Sequence, residues 1–132
     1  MAATIDGVAW RATGAGSVFT IDGGAPTVTV FGYTPITAGS KQADRDKPQL
    51  EIIFNDGEPA PGAYDIAATP SLTVMYMPER TSAYGADSGE VRIAHIDSNS
   101  IDGSFAFVAT LAPSGPDTVT VTDGSFSVPL GR

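Results

Sequence analysis

The chain has 132 residues, with 15 Gly, 10 Pro, no Cys and 17% charged residues, a length that brings an ordinary hydrophobic core within reach without disulfide staples. Its net charge of −8 reflects 15 Asp and Glu against 7 Lys and Arg, too few cations for the basic face that a phosphate backbone or an anionic bilayer requires. The missing cysteine removes thiolate nucleophiles, disulfides and Cys-bound zinc together.

Apolar and β-branched residues alternate with a period near two, interrupted by Gly, Pro and Asp-Gly pairs. Residues 3–5 form the first predicted strand and turn at Asp6-Gly7 into residues 8–12. Residues 18–21 lead through Asp22-Gly23 into 27–33, where Val28 and Val30 share one face and Thr27, Thr29 and Phe31 the other. Residues 34–48 are polar, close on Asp44-Arg45-Asp46-Lys47, and are expected to form the longest exposed loop. The next strand, 50–54, turns Leu50, Ile52 and Phe54 to one side. A Gly- and Pro-rich connection over 55–62 precedes short strands at 62–66 and 71–77, and 78–89 reads as a second loop. In 90–97, Val91, Ile93 and His95 oppose Arg92, Ala94 and Ile96. Strands at 101–111 and 118–122 follow, then a turn at Asp123-Gly124 and a last strand at 125–130.

Asp-Gly pairs tolerate positive φ and build the primed turns of antiparallel hairpins. No stretch carries the i, i+3, i+4, i+7 stripe of an amphipathic helix free of Gly or Pro. About ten short, closely spaced strands in one domain over residues 1–132 predict an antiparallel β-sandwich, with a closed or partly open barrel as the alternative. No segment approaches the ~20 apolar residues of a membrane span, and the first residues do not read as a basic-then-apolar signal peptide.

Several segments resemble a family of small bacterial β-sandwich domains, exported or lipid-anchored, of unknown function. They are Ile5-Asp6-Gly7 with Trp10, Gly62-Ala63-Tyr64, Ile101-Asp102-Gly103-Ser104-Phe105 and Thr122-Asp123-Gly124-Ser125-Phe126. The resemblance implies an antiparallel sandwich and an extracellular or cell-envelope location, and it carries no catalytic residues. The leader and Cys of the lipid-anchored members have no counterpart in these residues, which puts anchoring in doubt more than the fold.

His95 is the one histidine, so a Ser-His-Asp relay would have to pass through it. No Gly-x-Ser-x-Gly elbow accompanies it, and its strand position suits an ordinary hydrogen-bonded histidine. The close carboxylate pairs are Asp44 with Asp46, Asp56 with Glu58, Asp87 with Glu90, and Asp97 with Asp102. None follows the spaced ladder ending in a bidentate Glu that marks a calcium loop. The turn from Asp97 to Asp102 comes nearest, and turn geometry explains its acids without a metal. No catalytic, cofactor or metal residue is therefore assigned.

Trp10, Tyr33, Tyr64, Tyr76 and Tyr84 are the aromatics able to stack on sugars or anchor a partner, Trp10 being better suited to the core. Val74 and Tyr76 oppose Met75 and Met77, so that strand is apolar on both faces and is either central or covered by a neighbour. The leading expectation is a non-enzymatic structural or interaction module that associates with itself, as oligomer or filament, or with a surface protein or glycan. Residues 3–5 and 125–130 are its candidate edge strands. A small-ligand or glycan-binding module, marked by an internal cavity or by Tyr33, Tyr76 and Tyr84 lining one groove, is the second. A hydrolase, needing His95 beside a Ser hydroxyl and a carboxylate in an open cleft, is the third.

Overall fold

A computed structural model describes residues 1–20, 26–34, 49–79, 82–111 and 117–130. The expected turn at Asp22-Gly23 and the acidic pair Asp44 and Asp46 lie outside these residues. Ten strands and no helix are found among the described residues: β1 (Ala2–Ile5), β2 (Val8–Arg11), β3 (Gly14–Thr20), β4 (Thr27–Tyr33), β5 (Leu50–Phe54), β6 (Gly62–Asp65), β7 (Leu72–Glu79), β8 (Ser82–Ile96), β9 (Ser100–Leu111) and β10 (Thr118–Pro129). It follows that no described helix is long and apolar enough to cross a membrane.

All pairings are antiparallel and belong to one sheet, in the order β2-β1-β10-β9-β8-β7-β5-β4-β3, with β6 added to β8. The sheet curls until β3, at its far end, meets β10, where the Ser17 hydroxyl donates to the Pro129 carbonyl. The result is a half-barrel whose two flanks face each other across the core, as the layers of a sandwich do. Val28 and Val30 of β4, Ile52 of β5 and Val74 of β7 join Val91, Ile93, Phe105, Phe107 and Val121 of the β8-β9-β10 flank in one buried cluster. The alternating sequence produces this directly, because in β4 and β5 every second side chain is buried.

Three expected boundaries change. The expected loop over 78–89 is largely strand, since β8 begins at Ser82 and runs for 15 residues. It can be that long because it changes partner: its first part pairs with β7 through Tyr76 and Tyr84, its later part with β6 through Tyr64 and Val91. The expected turn at Asp123-Gly124 is instead a bulge inside β10, where the register with β9 shifts between Val121 and Gly124 and Asp123 takes φ 51°. A second bulge, between Ile93 and His95, breaks the expected alternation. Val91 and Ile93 stay inside, His95 turns out, and Ile96 packs back against the core.

Candidate functional site

His95, Asp102 and Ser127 lie in register across β8, β9 and β10. The His95 side chain is 58% exposed, and its Nε2 pairs at 2.9 Å with Asp97 Oδ2. The Ser127 hydroxyl donates to Asp102 Oδ1 at 2.6 Å. A relay needs that proton aimed at the imidazole, whereas here it goes to a carboxylate. The three residue types meet on one surface without the orientation that activates a nucleophile.

Asp97 is a turn-former. Its Oδ1 accepts from the backbone N–H groups of Asn99 at 2.7 Å and Ser100 at 2.9 Å. The hydrogen bond from His95, reinforced by those two amides, holds the Asp97 carboxyl down to about 2. In return the hydrogen bond to Asp97 raises the pKa of His95, aided by the charges of Asp97 and Asp102. The oxygens that made this turn the nearest calcium candidate thus have local partners. Among the described residues no three His, Asp or Glu side chains converge as a metal cluster.

The other described carboxylate pairs serve separate ends. Asp87 accepts from the Thr110 hydroxyl at 2.8 Å, while Glu90 reaches Arg92 at 3.4 Å. Asp56 and Glu58 line a pocket of about 160 Å³ with Phe54, Pro59 and Tyr64. The Tyr64 hydroxyl is spent on the Ala60 carbonyl at 2.7 Å. Two shallow grooves of about 220 and 250 Å³ adjoin on the outer face, meeting at Ala106 of β9. Thr120 and Thr122 flank the first, Glu90 and Asp123 the second.

The tyrosines do not share one groove. Tyr76 pairs with buried Leu50 and with Tyr84 on the inner face, their rings 6.2 Å apart, whereas Tyr33 points from the outer face beside Phe31. Burial, with the Asp6 charge and Tyr84 behind it, raises the Tyr76 pKa. Trp10 packs against the core. β7 lies between β8 and β5 and is apolar on both sides, Met75 and Met77 standing half-exposed on the outside.

The edges fall elsewhere than expected. Residues 3–5 lie in β1, which is paired on both sides, with β2 and with β10. Residues 125–129 lie in β10, paired along β9 and approached by β3, and Leu130 follows it. Among the described residues the sheet instead ends on β2, which pairs there with β1 alone. On β2, Val8 is 68% exposed. Its sequence signal is the Asp6-Gly7 hairpin, which shows that β1 and β2 pair but not which of them lies outermost.

These features define an antiparallel curled-sheet domain with shallow outer grooves and, among the described residues, an open edge at β2. The chain belongs to the family described as a domain of unknown function (DUF6252), whose family model matches residues 1–129. No curated protein sequence and no solved structure matches it.

Proposed function

We propose that this chain is a non-enzymatic interaction module of an exported bacterial protein, and that it associates with itself through the open edge of its sheet. The carrying observation is β2, paired among the described residues on one side only and bearing Val8, 68% exposed. Unpaired strand edges template further pairing, and an exposed valine adds burial to those hydrogen bonds. The net charge of −8 favours solubility of the free chain. The resemblance to exported bacterial domains is what supports export and a cell-envelope location.

The test is molar mass in solution by light scattering over a wide concentration range, paired with negative-stain imaging. A mass that rises with concentration, or filaments, supports the reading. A monomer at every concentration removes self-association. Binding of a glycan or small ligand in the grooves over β9 then takes its place, since those grooves hold an apolar floor beside Ser and Thr hydroxyls.

A further inference from the structure

We infer that Asp56 is a site of covalent self-modification, its link to Gly57 rearranging through a cyclic imide to isoaspartate, while the fold holds back the other described Asp-Gly pairs.

The chemistry belongs to the dipeptide. The Gly nitrogen attacks Cγ of the protonated Asp carboxyl, a C–N bond closes the imide ring, and the carboxyl OH leaves with the amide proton as water. Water then reopens the ring. Attack at Cγ restores the aspartate, whereas attack at the main-chain carbonyl carbon leaves the chain running through Cβ. Glycine permits the approach, because no Cβ screens its nitrogen and its backbone angles are free. Mass and net charge are the same before and after.

Folding decides which pair can reach that geometry. Cyclisation needs a carboxyl that can swing and a backbone that can rotate behind it. Asp6 has neither: its Oδ1 accepts from the Thr120 N–H, and its own N–H donates to the Thr120 carbonyl, both at 2.8 Å. Asp102 accepts from the Ser127 hydroxyl at 2.6 Å, and Gly103 is paired with Ile93 on one side and Phe126 on the other. Gly124 is buried and paired with Phe105, whose ring fills the space a Cβ would take.

Asp56-Gly57 lies outside every strand, in the connection between β5 and β6. Asp56 is exposed, and nothing stands within 4 Å of where a Cβ on Gly57 would be. The Gly57 N–H donates to the Pro26 carbonyl at 2.8 Å, beyond Val28 and Phe54, the last pair of the β4–β5 ladder. Bonds at the end of a ladder open at lower free energy than those inside it, and this opening frees the Gly57 nitrogen. The rearrangement adds one carbon to the main chain just after Asn55, whose N–H is anchored on the Ser71 carbonyl at 2.8 Å. The Gly57 bond to Pro26 is the contact the lengthened chain gives up, and the Asp56 wall of the pocket beside Tyr64 shifts with it.

The test incubates the full chain folded and, in parallel, in denaturing urea, then maps each Asp-Gly peptide by fragmentation that distinguishes the β-linkage. In the folded chain isoaspartate is expected at Asp56 several-fold above Asp6, Asp102 and Asp123. It should form faster at about pH 5 than at about pH 8, because the reaction consumes the protonated carboxyl. In urea the four positions are expected to converge, since local sequence alone then sets the rate. Asp56→Glu, whose longer side chain closes a less favourable ring, is expected to lose the signal with an unchanged melting curve. Accumulation in the folded chain at any of the other three positions as fast as at Asp56 overturns the proposal. So does a folded chain in which Asp56 stays intact while urea converts it.

Discussion

His95 and Asp97 hold each other's charge on an exposed surface, with consequences of opposite sign in pH. The histidine pKa is raised, so the stabilisation it supplies is complete below its ordinary 6.5 and fades as pH rises through the raised value. The carboxyl is lowered from 3.8 to about 2, so its share is complete above 3.8 and is lost as pH falls through about 2. Asp97→Asn is expected to move the His95 midpoint down toward 6.5, read from the ring-proton shifts by NMR. An unmoved midpoint would assign the shift to Asp102 instead. Gly89 makes a different kind of demand. Its φ is +129°, and a Cβ there would strike the Ala106 carbonyl and the Phe107 backbone across the strand pair. Gly89→Ala is expected to destabilise by roughly 2 kcal/mol, through a conformation that L residues avoid and a contact that β9 cannot relieve. Urea denaturation measures it.

At the level of elements, one dipeptide has three fates. Asp6-Gly7 turns a tight hairpin, Asp102-Gly103 lies extended inside β9, and Asp123-Gly124 makes a bulge inside β10. Each pair permits positive φ, which is all the sequence discloses. What decides the outcome is whether the flanking segments pair with each other or with a common neighbour. β9 lies opposite both halves of β10, so the chain passes through Asp123-Gly124 without reversing. The alternation in β4, β5 and the second half of β10 was legible for the same physical reason that the β8 boundaries were not. Strict alternation reports a strand with one buried face, whereas Ala83, Gly85, Ala86, Ser88 and Gly89 carry little hydrophobic contrast, and Gly85 is held between Met75 and Thr110. In the candidate site, the His95-Asp97 pair was within reach of inspection, and the outward turn of His95 was not, because a bulge is set by the partner strand. The placement of β1 also changes what truncation does. Removing residues 1–5 strips a strand paired on both sides, uncovers β10 and exposes buried Ala3. The expected result is loss of the fold or a melting temperature lower by roughly 10 °C, followed by circular dichroism, and not a folded domain that merely fails to associate.

At the level of the whole molecule, the curl gives the two ends of the sheet different surroundings. β3 arrives beside β10 and is met there by the Ser17 hydrogen bond to Pro129. Proline suits that place, since the N–H it lacks is one the β9 ladder does not need. β2, at the other end, has β1 and, among the described residues, no further strand beyond it in the sheet. A chain of net charge −8 repels its copies broadly, and at the hairpin the Asp6 carboxylate is held by the Thr120 N–H of β10 at 2.8 Å.

The pairing of Ala2 with Ser125 and of Ile5 with Val121 joins segments more than a hundred residues apart, and it governs how the domain reaches this state as well as how it stays there. Loop-closure entropy for β1 must be met before its burial is rewarded, so the contact order is high and folding belongs to the slow, millisecond-to-second class of all-β chains. During synthesis the β1–β2 hairpin is made well before β10, the strand that β1 pairs with. Over that interval Trp10, which packs against the core once folded, has no core to pack against.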